Sequence, residues 1–318
     1  MFNVFLLIIG FWLLIKGADL FVEGSASLAK RLGVSGLVIG LTVVAFGTSA
    51  PELLVSVLAS LKGVSEIAVG NVLGSNVANI LLILGVSSLI YPLAVTKGTV
   101  WKEIPFSLLA VLVLGAFAND VFFDKAAKSV LSRVDGFIFI CFFVIFIYYV
   151  VSIAPGKRSS ASPETPLPGT RRSLLLLGSG FGVLMFGANL VVNKAVAIAL
   201  NLGMSREFIG LTIVALGTSL PELAASVTAA CKKSPDIAVG NVIGSNIFNI
   251  FFVLGVSAMI RPLPLGLNVN ADILVLIAIS LLLFIFMITG KSRRLEKWHG
   301  AVFVVLYVTY LVFLVKRG

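Results

Sequence analysis

The chain has 318 residues, 59% of them hydrophobic and only 12% charged, with a mean hydropathy of +1.11 and a formal net charge of +10. Soluble domains carry about 25% charged residues, so the composition excludes a soluble globular protein and implies an integral membrane one. Lysine and arginine cluster between the apolar runs, as loops beside a bilayer do; they form no aromatic-interleaved basic surface of the kind a nucleic-acid partner needs.

The apolar runs are long and unbroken. A helix needs roughly 20 apolar residues to cross a bilayer, whereas barrel strands are short and alternating, so the fold class is all-α. In chain order, helices are predicted near 3–29, 36–60, 67–91, 101–119 and 134–153. The run from Phe2 has no basic segment before it and is read as a helix of the mature chain, not a cleaved signal. A Ser/Pro-rich stretch, "APGKRSSASPETPLPGTRR", follows. The linker assigned to it, 154–171, is too short for a folded domain of about 50 residues. Further helices are predicted near 172–199, 206–230, 237–261, 270–290 and 298–315. The chain thus divides into a first five-helix repeat over 1–153, the linker, and a second five-helix repeat over 172–318.

Alternate loops differ in charge. Lys30, Arg31, Lys97, Lys102, the linker bases, Lys232, Lys233 and the group from Lys291 to Lys297 fall on one side. They outnumber those on the other, so that side is expected to be cytoplasmic, with both termini outside. Cys141 and Cys231 have no metal-ligand spacing and are expected to be inert core thiols. His299, beside Trp298, is expected to anchor at the interface.

Shifted by 170 residues, the sequence overlays itself without a gap from Gly17 to Pro92, with about half the positions identical. "IGLTVVAFGTSAPEL" meets "IGLTIVALGTSLPEL", and "IAVGNVLGSNVANI" meets "IAVGNVIGSNIFNI". A match that spans loops and polar motifs is a duplication. With five helices per half, the second half enters the membrane in the opposite sense, so inverted repeats are expected. Transporters built this way hold their substrate near the midplane, where the repeats meet.

The duplicated motifs carry the chemistry. A carboxylate at helix-centre depth costs roughly 2.5–3.5 kcal/mol on insertion scales, yet Glu52 and Glu222 recur at equivalent places with no lysine or arginine near the middle of these helices. The missing counter-charge implies a bound cation or a proton. Pro51 and Pro221 lack an N–H and free the carbonyls of Gly47 and Gly217, and carbonyl oxygens are ligands for hard cations. Thr48 and Ser49 precede Glu52 by four and three residues and share its helix face. On the next helix Asn71, Ser75 and Asn79 form a polar stripe, as do Asn241, Ser245 and Asn249. Gly70, Gly74, Gly240 and Gly244 stand at intervals that permit close helix approach. Two carboxylates with amide, hydroxyl and carbonyl oxygens suit Ca²⁺, which takes 6–8 oxygen ligands. The lack of a His/Cys set argues against Zn²⁺ or copper. Na⁺ competing for the same oxygens is a direct route to exchange.

Plainer readings exist for single features. One proline is a kink, and an Asn/Ser stripe serves as interhelical glue worth about 1 kcal/mol per bond. Duplication of the TS-x-PE motif moves the balance to ion binding, while Asn71 and Asn241 stay divided between bracing and ligation. Asp19 and Glu23 have Asn189 and Asn193 as repeat partners. They either line an ion path or, on the favoured reading, meet headgroups or Arg31. Glu66 and Asp236 are read as helix N-terminal dipole partners.

The stretches "GTSAPE" with "GNVLGSNVANI", and "GTSLPE" with "GNVIGSNIFNI", resemble the α-repeats of the sodium/calcium exchanger family, in its compact prokaryotic form. The resemblance implies ten transmembrane helices in two inverted halves, with the first and sixth sliding across the core to switch access. It implies Glu52 and Glu222 as the main ligands. Thr48, Thr218, Ser49 and Ser219 and the carbonyls of Ala45 and Ala215 would add oxygens, and Ser75, Ser245, Asn79 and Asn249 would complete the sites. Some family members, potassium-dependent ones included, carry aspartate where this chain has Asn249; the asparagine lowers the expectation of potassium co-transport. The expected activity is antiport of Ca²⁺ against Na⁺, without cofactor, nucleotide or nucleic acid, by a chain expected to be monomeric in a prokaryotic plasma membrane. A Ca²⁺/H⁺ antiporter is the main alternative, with a channel and a non-transporting scaffold behind it.

Overall fold

A computed structural model describes residues 2–123, 125, 128–154, 169–202, 215–266, 269–289 and 293–317. Most of the predicted linker, 155–168, and the first part of the helix predicted over 206–230 lie outside the described residues. Besides a single turn over Asp120–Phe123, the helices are α1 Phe2–Leu32, α2 Gly36–Thr48, α3 Ala50–Lys62, α4 Ser65–Ile90, α5 Thr99–Phe117, α6 Arg133–Ile153, α7 Thr170–Asn201, α8 Ala215–Thr218, α9 Leu220–Cys231, α10 Pro235–Ile260, α11 Val269–Thr289 and α12 Lys297–Arg317. Eight of them (α1, α4–α7 and α10–α12) are long and apolar enough to cross a bilayer. α2 and α3 make a ninth span as a pair bent by 47°.

Local chemistry sets the boundaries. Ser132 and Asp135 close a reciprocal capping box that opens α6. Gly63, at φ +77°, ends α3 in the left-handed conformation, and the Arg261 guanidinium lies over it so closely that a Cβ there would come within 2.4 Å of Nη1. Glu66 and Asp236 fall in the first turns of α4 and α10, where the helix dipole favours an acid.

Burial ranks the helices. Within the apolar stretches of α4 and α10, 72% and 78% of residues are buried, against 28–39% in the other six spans. A helix apolar on all sides belongs inside a bundle, so α4 and α10 form the centre and the rest present one face to lipid.

Contacts between the halves are reciprocal. In much of the packing and hydrogen bonding, where residue i of the first half meets residue j + 170 of the second, i + 170 also meets j. Gly17 of α1 packs on the backbone of Leu184 in α7, and Gly187 packs on that of Leu14; a Cβ on either glycine would lie 2.3–2.5 Å from a backbone nitrogen. Self-complementary exchange of this kind characterises a two-fold relation. β1 Leu93–Ala94 pairs with β4 Arg294–Leu295, and β2 Val130–Leu131 pairs with β3 Leu263–Pro264, both antiparallel. The strands also pair across the halves, with β3 the counterpart of β1 under the shift, whereas β2 and β4 are not counterparts under it. Gly240 and Gly244 approach the carbonyls of Leu37 and Leu41, at 2.8 and 2.7 Å from a would-be Cβ. Gly70 and Gly74 meet no described atom within 4 Å; their counterpart partners, 207 and 211, lie outside the described residues.

Three expectations are corrected. Cys141 and Cys231 are both exposed, not core thiols, because Cys141 lies on an outward face of α6 and Cys231 ends α9. His299 is 1% exposed and no interfacial anchor: it lies on the Phe286 ring and its Nδ1 accepts the Glu296 N–H at 2.9 Å, just before α12. Asp19 does not meet Arg31. Lys232 Nζ lies 2.7 Å from its carboxylate, while Arg31 donates to the Thr170 hydroxyl at 2.9 Å. Elsewhere Arg317 grips Asp272 through two 2.9 Å bonds, with Tyr310 donating to the same carboxylate. Tyr149 donates to the buried Glu103, tying α6 to α5.

Candidate cation site

Both acidic motifs fold alike. The helix breaks at Ser49 (φ −84°, ψ 9°) and at Ser219 (φ −85°, ψ 3°), and resumes with proline in its opening turn. Proline is tolerated there because its missing N–H would have no partner in that turn. The break has a chemical result: Glu52 and Glu222 fall in the first turns of α3 and α9, where the positive end of the helix dipole favours a carboxylate. Opposite them, α4 and α10 pass from α to the wider π-type winding at Asn79 and Phe248. Such bulges concentrate at functional sites.

A hydrogen-bond lattice joins the halves. The Thr48 hydroxyl donates to Asn241 Oδ1 at 3.1 Å and Thr218 to Asn71 Oδ1 at 3.4 Å. Asn241 Nδ2 lies within reach of the Glu222 carbonyl (3.3 Å) and Ser226 Oγ (2.9 Å), and Asn71 Nδ2 of the Glu52 carbonyl (3.3 Å) and Ser56 Oγ (3.1 Å). The amide oxygens of Asn71 and Asn241 are therefore engaged by threonine hydroxyls, which favours the bracing role for both. Ser49 Oγ lies 2.9 Å from Ser245 Oγ, and Ser219 Oγ lies 3.2 Å from Ser75 Oγ.

The two carboxylates differ in one respect. Glu52 Oε1 accepts from Ser75 of its own half at 3.2 Å, whereas Glu222 Oε1 accepts from Ser49 of the other half at 2.9 Å. Ser49 has one proton, so Glu222 and Ser245 compete for it.

Asn76 and Asn246 were not singled out by sequence reasoning, because they sit one residue off the four-spaced stripe. Asn79 donates Nδ2 to Asn246 Oδ1 at 2.9 Å, and Asn249 donates Nδ2 to Asn76 Oδ1 at 3.0 Å. These bonds fix the orientation of both amides. The repeated "GSN" in each half was the available signal.

Four side-chain oxygens emerge from this lattice without a hydrogen-bond partner: Glu52 Oε2, Glu222 Oε2, Asn79 Oδ1 and Asn249 Oδ1. Their residues are 0–1% exposed. Leaving a buried polar atom unpaired costs roughly 1–3 kcal/mol, and more for a charged group, and native structures keep few such atoms. Four acceptors and no donor, drawn as two repeat-related pairs, call for an electropositive partner. Among the described residues no group of three or more His, Cys, Asp or Glu occurs, so the donor set is hard oxygen, suited to Na⁺ or Ca²⁺ and not to soft metals.

The remaining predicted residues are placed as follows. The Ala45 carbonyl accepts the Ser49 N–H at 3.0 Å and lies 3.4 Å from Thr48 Oγ1. Ala215 is the first described residue of α8. A cavity of about 350 Å³ reaches Pro51, Thr218 and Pro221 from one face, lined there by Asn189 and Asn193 of α7.

Comparison with known proteins gives a consistent picture. Residues 2–152 and 172–316 match the family described as sodium/calcium exchanger protein. The chain is 35% identical over 345 residues to the sodium/calcium exchanger MaX1 of Methanosarcina acetivorans, covering 98% of each. It is 39% identical over 266 residues to the inner membrane protein YrbG of Escherichia coli, covering 81% of this chain and 79% of that one. It superposes on the solved structure of the sodium-calcium exchanger NCX_Mj soaked with Na⁺ and Ca²⁺ with a TM-score of 0.84, 36% identity and 98% of each chain covered.

Proposed function

The chain belongs to the sodium/calcium exchanger family, and on that premise we propose that it is an antiporter in which Ca²⁺ and Na⁺ compete for one buried oxygen site. The family consists of transporters, not enzymes, and the chain is an integral, multi-pass membrane protein. The observation that carries the reading is the set of four unpartnered buried oxygens on Glu52, Glu222, Asn79 and Asn249. Two carboxylates balance one divalent ion. Ser49, Ser75, Ser219 and Ser245 connect the acids and complete the polar wall. Thr48 and Thr218 act in this reading mainly as braces for Asn241 and Asn71, while the carbonyls of Ala45 and Ala215 serve as further oxygens.

The wider architecture in this reading is ten membrane crossings in two inverted halves, 1–153 and 172–318, joined through a cytoplasmic linker over 154–171, with both termini outside. The strand pairs between the halves and the exchange of side-chain contacts under the 170-residue shift support it. Two such halves have two nearly equal arrangements, and alternation between them carries the site from one face to the other.

The test is Ca²⁺ uptake into Na⁺-loaded proteoliposomes diluted into Na⁺-free buffer, with Glu52→Ala as control. Uptake that needs the Na⁺ gradient and disappears in the variant is the expected result. Uptake driven by a pH gradient without Na⁺ would move the protein to proton coupling.

A further inference from the structure

The cavity of about 350 Å³ lies beside the site. On the α3, α7 and α8–α9 walls it is lined by Pro51, Val55, Asn189, Val192, Asn193 and Thr218. Under the 170-residue shift these become Pro221, Ala225, Asp19, Val22, Glu23 and Thr48. The inner part of that second set is closed: Val22 is 1% exposed, and Ala225 and Thr48 are fully buried, while Asp19 is half-buried and Glu23 is exposed at its outer end. α1 lies against α9 here, and Lys232 at the end of α9 reaches across to Asp19, 2.7 Å from Oδ1 and 2.8 Å from the backbone carbonyl. The repeat counterparts on the open face are Lys62 and Asn189. There an amide stands at the position of the carboxylate, and Asn189 Oδ1 accepts a hydrogen bond from Asn193. The ion pair therefore exists in one half only, and it joins the two walls that are shut.

We propose that Lys232 and Asp19 form a clasp that holds one access face of this protein closed, and that Asp19 and Glu23 line the path uncovered when the clasp opens. This rests on the reading that the site alternates between faces. The duplication supplied two equivalent paths, and substitution made them chemically unequal. One is lined by Asn189 and Asn193 and is neutral. The other would be lined by Asp19 and Glu23, with the lysine that neutralises Asp19 in the closed state moved away. A divalent cation thus meets an acidic path on one face and an amide path on the other.

The two side chains are 32% and 43% exposed, so the pair has the strength of a partly solvated ion pair. Such a pair biases a two-state equilibrium by about five-fold. The test uses thiol accessibility in proteoliposomes, after Cys141→Ser and Cys231→Ser remove the two exposed native thiols. Val22→Cys reports the shut face and Val192→Cys the open one. Asp19→Asn and Lys232→Gln should each raise maleimide labelling at position 22 about five-fold without raising it at position 192. Asn189→Asp, which installs a carboxylate at the position equivalent to Asp19, with Lys62 at the position equivalent to Lys232, should favour closure of the open face and also raise labelling at position 22. Unchanged labelling at position 22 in all three variants overturns the clasp. Parallel increases at both reporters overturn it too, since they indicate loosening and not a change of access. Labelling needs no ion flux, so failure of Na⁺-driven uptake with reciprocal labelling would refute the exchange reading alone.

Discussion

Asn79 gives its amide N–H to Asn246 Oδ1 at 2.9 Å, and in doing so leaves its own Oδ1 buried and without a partner. Asn249 and Asn76 repeat the relation with the halves exchanged. The asparagines that hold the two amides in place are thus as much part of the site as the amides themselves.

It follows that Asn76→Ala and Asn246→Ala should weaken cation affinity although neither residue presents a free oxygen. Removing partners that orient ligands typically costs 10–100-fold in affinity. The half-saturating Ca²⁺ concentration of exchange should rise by that order, and an unchanged value would reduce these residues to packing.

Glu52→Ala and Glu222→Ala should each abolish Na⁺-driven Ca²⁺ uptake while the protein still inserts and elutes as a single species. Each removes half the negative charge at the site. Substantial exchange in either variant would move the site elsewhere.

Ca²⁺ should stabilise the wild type against heat. A ligand that binds only the folded state contributes about 2.7 kcal/mol at a hundred-fold excess over Kd. The shift in Tm should vanish in Glu222→Ala. Asn241→Ala should lower Tm in the absence of ions, since it breaks the brace to the Glu222 carbonyl and Ser226, yet keep a Ca²⁺-dependent rise. A variant that loses the rise as well would make Asn241 a ligand.

Gly17→Ala and Gly187→Ala should destabilise the protein by about 1–3 kcal/mol or more, the usual cost of overpacking, because the added methyl meets backbone of the partner helix. Gly178→Ala and Gly182→Ala, in the same α7 but with open space around the would-be Cβ, should be neutral or mildly stabilising, as alanine is the better helix former. Thermal unfolding in detergent separates the two classes.

Much of this was legible before any coordinates. The duplicated TS-x-PE stretches located both helix breaks and both buried acids, because an intramembrane carboxylate and a proline are each costly enough to mark a purpose. The predicted helix ends agree with the described ones to within a few residues. What stayed hidden depends on contacts between segments far apart in the chain. The split between bracing Asn71 and free Asn79 is set by the threonine of the other half, and nothing in the four-residue spacing distinguishes them. Asn76 and Asn246 point away from the stripe and toward each other's repeat. Asp19 found Lys232, 213 residues later, rather than nearby Arg31. Cys141 seemed a core thiol because apolar sequence in a membrane helix does not reveal which face meets lipid.

The glycine seam between α1 and α7 has a mechanical meaning. Leu184 backbone seated on Gly17, and Leu14 backbone on Gly187, leave no side-chain layer between the two helices. The seam continues along both helices, from Gly10 on Val191 to Gly24 on Leu177 and Ser27 on Ser173, so sliding one past the other would drive backbone atoms together, and α1 and α7 form one rigid antiparallel pair. α1 packs against α9, and α7 lines the cavity beside α3. In the proposed alternating cycle, a rigid pair would not withdraw from one path without advancing on the other, so protection against an open leak would need no separate interlock.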